Sequence, residues 1–252
     1  MAPPPAVLAD SSSPAADPVA QLSQRERLWL FQAMAHSRVA RRRLAKQRRS
    51  ARTPALDGAS ADGWEALEAA ATRALQEGDS LFASAAWPLP LAGAARIGPA
   101  WRLVDVVSAA AGAAMTTAPG SVAIAICEAP ALRDAVPALA TVARRHLPLV
   151  VLAADRDGGG DARAAADAAS VPFELVRAIA VETVVLATAS ACANARAGHG
   201  PTLIACRPAE GGGEATPEHE ADPIEVYAHR LRESGASLDD LRAVVRSARG
   251  RP

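Results

Sequence analysis

Three short runs of uninterrupted apolar residues, 121–127 (SVAIAIC), 149–153 (LVVLA) and 202–206 (TLIAC), constrain this chain more than any other feature. None of them alternates polar with apolar positions, so neither face can be turned to water, and each reads as a strand covered on both sides. Between and around them lie segments with helical spacing, at 132–145, 161–169 and 179–197, with a short extended piece at 171–176. Strands separated by helices pair in parallel, because a crossover returns each strand to the same end of the sheet. The expected class is therefore α/β, a parallel sheet flanked by helices.

Composition limits how those layers pack. The chain has 252 residues and is 50% hydrophobic but only 3% aromatic, so one core built from alanine and aliphatic side chains must hold its helices close to the sheet. Residues 1–22, rich in Pro, Ala and Ser, have too little to bury and read as a disordered tail, leaving 23–252 as a single domain. Ser23 and Glu26 have the spacing of a capping box, and Leu28, Phe31, Ala35 and Val39 follow at helical spacing, predicting a helix over 24–48 inside a basic segment that runs to 52. A second helix is expected over 64–76, closed by Gly78, and a third over 101–115; Pro88 and Pro90 exclude regular helix after Phe82. Pro119-Gly120 is a turn that launches the first apolar strand. A polar, Gly-rich stretch at 208–220 precedes C-terminal helices within 222–247.

Lys plus Arg and Asp plus Glu both total 27, which excludes any argument from net charge for nucleic acid, membrane or an acidic substrate. Locally, 25–52 carries ten basic residues against the single acid Glu26. Without interleaved aromatics, the run Arg41 to Arg52 reads as a surface meeting acidic groups on a partner subunit rather than nucleic acid, which stays an alternative. Cys127, Cys192 and Cys206 form no CxxC pair and are expected to be reduced and buried. The first residues lack an apolar targeting core, and no charge-free apolar run reaches the roughly 18 residues of a membrane span, so a cytoplasmic protein is expected.

In an open parallel sheet, ligands bind at the carboxyl ends of the strands. The residues there are Cys127 and Glu128 after the first apolar run, and Asp155, Arg156 and Asp157 after the second. Cys127 is either a reactive thiol or an inert buried one; Arg156 either neutralises a phosphate or belongs to a solvated loop. The triplet Gly158-Gly159-Gly160 lacks the spacing of a phosphate-binding loop, and Glu218-His219-Glu220 places three possible ligands side by side in sequence, where they do not converge on one ion.

Several pieces in order resemble a known family. Leu30 to Met34 with Arg38 and Arg43, then Glu65-Ala66, then Gly78-Asp79 with Phe82, are similar to its first helix and its "GQEA" and "GDxVF" motifs. Ala164 to Pro172, the run Ala195-Arg196-Ala197-Gly198-His199-Gly200-Pro201-Thr202-Leu203-Ile204, Asp222-Pro223-Ile224-Glu225 and Leu238-Asp239-Asp240-Leu241 resemble its alanine-rich helix, "ARAGEGPTLIE", "DPIE" and "LTEEEL". The family is the α subunit of the thiamine-diphosphate-dependent 2-oxo acid dehydrogenase decarboxylating component, which acts on pyruvate, branched-chain 2-oxo acids or acetoin.

That resemblance implies a shortened thiamine-diphosphate-binding, transketolase-like fold, self-association, and a β-type transketolase-like subunit as partner. It also implies thiamine diphosphate and Mg²⁺ as cofactors, the metal held by an Asp and an Asn. The equivalent positions here are substituted: Cys127 and Glu128 after one strand, Asp155 and Arg156 after the next, and Ala86 where the family has an Arg near the diphosphate. A thiol is a poor Mg²⁺ ligand and a guanidinium has no lone pair to give. A cofactor-contacting insert is missing between 97 and 109, and the loop at 207–214 lacks the family's His and Ser. The expectation is a non-catalytic or regulatory α-subunit-like protein with no catalytic residue and no metal site, the cofactor not held by this chain alone. The alternatives are a working α subunit with altered ligands and a nucleic-acid-associated protein.

Overall fold

The computed structural model describes residues 22–50, 64–83, 96–97, 103–155, 160–207 and 222–250. The apolar runs form the middle of a six-stranded sheet. Its strands are β1 (Ser80–Ala83), β2 (Arg96–Ile97), β3 (Ala123–Glu128), β4 (Leu149–Ala154), β5 (Phe173–Arg177) and β6 (Thr202–Arg207), in the order β2-β1-β3-β4-β6-β5. Every pairing is parallel, with Ile126 beside Leu152 and Leu152 beside Ile204 across the centre. The helices are α1 (Gln24–Ser50), α2 (Glu65–Ala74), α3 (Leu103–Ala114), α4 (Leu132–Arg144), α5 (Gly160–Ala169), α6 (Val181–Arg196), α7 (Pro223–Glu233) and α8 (Leu238–Gly250).

Side chains that alternate along the strands divide the core in two. Ile124, Ile126, Val150, Leu152, Ile204 and Cys206 pack with α1, α2, α6, α7 and α8 on one face. Ala123, Ala125, Cys127, Val151, Ala153, Leu203 and Ala205 pack with α3, α4 and α5 on the other. Ile124, Ile126, Leu152 and Leu203 are fully enclosed, and each such side chain contributes about 1.5–3 kcal/mol relative to exposure. The second face is dominated by alanine, which lets α5 lie directly on β5 and β6. The α/β class with a parallel sheet flanked by helices is what the apolar runs predict.

The expected helices appear with small shifts at their ends. The capping box forms, the Ser23 amide donating to Glu26 Oε2 at 2.8 Å and the Glu26 amide to Ser23 Oγ at 3.3 Å. Helix α1 continues to Ser50, and Leu30, Phe31 and Met34 bury its inner side against the face shared with α2. Helix α2 stops earlier than predicted, with Leu75 already extended. Gly78 is therefore not its cap. It lies at φ +89° in the turn from Gln76 to Asp79, and a Cβ on it would stand 2.7 Å from Ser121 Oγ, so both backbone conformation and close approach require glycine.

Two strands have no counterpart in the sequence reading. β1 is four residues long, with half-buried and buried positions alternating, and β2 is a two-residue pairing on its outer side. Neither carries a long apolar run, and β1 gains its place by pairing along β3 from Ser80 to Ala83.

Residues 1–21, 51–63, 84–95, 98–102, 156–159, 208–221 and 251–252 lie outside the described residues, and with them Ala86, Arg156, Asp157 and Glu218-His219-Glu220. Among the described residues no helix is long and apolar enough to cross a membrane.

Candidate functional site

The strand order locates the edge on which a ligand would sit. From β1 the chain passes outward to β2, whereas from β3 it passes the opposite way, through α4 to β4. The strand order therefore reverses direction between β1 and β3, the topological position at which open parallel sheets bind ligands. A second divergence separates β4, which leads through α5, from β6, which leads toward α7. Cys127 and Glu128 end β3 at the first of these, and Asp155, Cys206 and Arg207 stand at the second.

Each of these groups has a definite environment. Cys127 is fully buried in the alanine-rich face, and burial pushes its thiol up to about 12, the Glu128 carboxylate acting in the same direction. It is protonated at physiological pH and points into the core. Cys192 is likewise pushed up to about 12 by burial, and the Cys206 thiol is raised for the same reason. All three cysteines are free and buried, as expected from their spacing. A thiol reagent such as Ellman's is accordingly expected to label none of them at pH 8 in the native protein and all three in denaturant. Rapid labelling under native conditions that peptide mapping assigns to Cys127 would instead mark it as the reactive group considered above.

Glu128 is half-buried, whereas Asp155 is 1% exposed, its amide donating to the Cys206 carbonyl at 2.9 Å. The backbone thus carries the pairing of β4 and β6 one residue beyond the strand and fixes Asp155 at the edge. Among the described residues, no group of three or more His, Cys, Asp and Glu converges as metal ligands. A buried protonated thiol beside a half-buried glutamate does not fit a Mg²⁺–diphosphate, which demands hard, ionised oxygens.

Charged residues inside the fold lie elsewhere. On one side of α1 and α2, Arg38 Nε donates to Glu65 Oε1 at 2.8 Å and its Nη1 pairs with Asp222. Arg41 donates to Glu68 Oε1 from Nε at 3.1 Å, its Nη2 forms an ion pair with the same oxygen at 2.6 Å, and it stands 3.8 Å from Glu65. Asp222 is also the N-cap of α7, accepting from the Ile224 amide at 2.8 Å. Burial acts to raise its carboxyl, but Arg38 and the backbone amides outweigh it and hold it below the usual range.

A second group is built on Asp79. Its Oδ1 accepts from the Val122 amide at 2.8 Å, its Oδ2 from the Gln76 amide at 2.7 Å, and Arg196 pairs with it while also reaching the Ala74 carbonyl at 3.0 Å. A third joins Arg27 to Glu182 at 3.1 Å and Tyr227, whose hydroxyl donates to Glu182 at 3.2 Å; burial and the adjacent carboxylate raise the Tyr227 phenol.

These pairs change the reading of the basic run. Arg41, taken from sequence as part of a partner-facing surface, is 6% exposed and spent on carboxylates of its own chain. Arg42, Arg43 and Lys46 are exposed, and Arg43 reaches the Arg249 carbonyl at 2.7 Å. The sequence reading gave no role to Asp79, Glu65 or Glu68. One signal for the last two was present: Arg38 and Arg41 share the three-residue step of Glu65 and Glu68, so two charge pairs can form at one helix contact.

A surface cleft of about 310 Å³ lined by Arg25, Glu26, Trp29, Thr72 and Arg73 lies between α1 and α2. It sits where α2 runs toward the start of β1, so it is remote from the carboxyl edge. Compared with known proteins, the chain matches no known family and no curated protein.

Proposed function

We propose that this chain is a 2-oxo acid dehydrogenase α-subunit-like protein that retains the frame of such a subunit and is non-catalytic or regulatory, because the Mg²⁺–thiamine diphosphate motif is replaced. The observation that carries this reading is Cys127: at the strand end where the family would place a metal-binding carboxylate stands a thiol sealed in the core. A second support comes from how the resembling residues are used. Arg38, Glu65 and Asp222 bind one another, and Asp79 binds Arg196, so the pieces that carry the resemblance are joined by ion pairs that hold helices to the sheet. Residues committed to a frame persist when a site is lost.

One observation favours the alternative of a working subunit with altered ligands. Asp155 keeps a hard oxygen donor, almost fully enclosed, at the edge where the family has an amide. The two readings separate when the chain is co-expressed with a β-type transketolase-like subunit and the product assayed. The proposal expects a stable complex with no 2-oxo acid decarboxylation above that of the β-type subunit alone. Turnover dependent on thiamine diphosphate, lost on Asp155→Ala, would replace it with the alternative. A self-associated chain that ignores the β-type subunit would remove the partner from the proposal.

A further inference from the structure

We propose that the buried string Asp222, Arg38, Glu65, Arg41 and Glu68 is a proton-sensitive clasp, in which a proton on Glu68 secures the seating of α1 on α2 and, through Arg38 and Asp222, of the α7 N-terminus on both. The proposal starts from charge and place. The five groups alternate in sign along the string, and its two most enclosed carboxylates, Glu65 and Glu68, share the Arg41 guanidinium. Side-chain exposure is 29% at Asp222, where the string begins, and falls to 0% at Glu65 and 1% at Glu68, where it ends. A carboxylate that is 1% exposed is costly to keep ionised at the closed end of such a string, and the ordinary remedy is to bind a proton.

Geometry singles out Glu68 as the group that takes it. Arg41 engages only Oε1 of Glu68, and Oε2 is buried with no hydrogen-bond partner. Glu65, by contrast, is flanked by both Arg38 and Arg41. The other elements packed on α2 hold their charges in separate pairs: Glu182 and Arg196 of α6 engage Arg27 with Tyr227 and Asp79 respectively, and β3 contributes Glu128 only at its far end. In the first turn of α7, Asp222 belongs to the string, and Glu225 is exposed. In keeping with this, burial pushes Glu68 up to about 7, with Glu65 adding to the rise and Arg41 opposing it.

The sign follows. A carboxyl whose folded-state value lies above its unfolded value of about 4.5 stabilises the fold below that pH, and the contribution is lost as pH rises to about 7. The clasp is therefore tight in mild acid and loosened above neutrality.

The test compares unfolding of the full chain with that of Glu68→Gln, which imitates the protonated side chain, between pH 5 and pH 8. The unfolding constant of the wild type is expected to rise relative to the variant by about 100-fold across that range, the change expected for one proton taken up over roughly two pH units. A ratio constant within about threefold would overturn the proposal. Should Glu68→Gln fail to fold, ¹³C titration of the Glu68 carboxyl in the wild type decides the matter. A midpoint near 7 supports the clasp, and one in the ordinary carboxylate range refutes it.

Discussion

Asp79→Ala is expected to lower the unfolding free energy by about 3–5 kcal/mol. The side chain is fully enclosed and serves three elements at once. It closes the turn after α2 through the Gln76 amide, ties the start of β1 to the start of β3 through Val122, and anchors the end of α6 through Arg196. Removing it leaves two backbone donors without acceptors and a guanidinium, 15% exposed, without its counter-ion. Each buried donor left unmet costs about 1–3 kcal/mol. Urea unfolding followed by circular dichroism measures the total, and a double-mutant cycle with Arg196→Met isolates the ionic part. A loss under about 1 kcal/mol would mean that the turn is held by Gly78 and the sheet alone, with Asp79 contributing little.

Arg41→Ala is the second large effect, of about 3–5 kcal/mol, and it depends on pH. Exposed members of the basic run offer a control, since Arg42→Ala is expected to change stability by less than about 0.5 kcal/mol. Loss of Arg41 removes the partner of Glu68 and one of the two guanidiniums beside Glu65, leaving carboxylates that are 1% and 0% exposed. The deficit is expected to be smallest at pH 5, where Glu68 carries its proton, and to grow toward pH 8 as ionisation demands a counter-ion that is no longer there. Thermal unfolding at the two pH values reads this directly. An equal deficit at both would show that Arg41 acts through its packed aliphatic stem and not through its charge.

The central sheet was legible because Ile124, Ile126, Val150, Leu152, Leu203 and Ile204 belong to runs that only a doubly covered strand can bury. The start of α1 was legible from the capping-box spacing of Ser23 and Glu26, whereas the capping role of Asp222 at α7 emerges only in the fold. β1 was not, since Ser80 to Ala83 has too few residues to display a pattern and owes its conformation to β3. Arg41 was misread because a charge inside a basic run looks solvated until the residues opposite it are known. The step shared by Arg38 with Arg41 and Glu65 with Glu68 becomes meaningful once α1 and α2 are seen to touch. The ends of the central strands were legible from the apolar runs, whereas the environment of Cys127 depends on the alanine-rich face closing over it.

The account stands or falls on whether this chain holds the cofactor that the resemblance implies. Calorimetric titration of the purified full-length protein with thiamine diphosphate, with and without Mg²⁺, answers that most directly. The expected result is no saturable heat in either case, alone or after mixing with a β-type subunit that shows no binding of its own. Saturable binding in the micromolar range that requires Mg²⁺ and disappears with Asp155→Ala would contradict the account and make this chain a working cofactor-binding subunit.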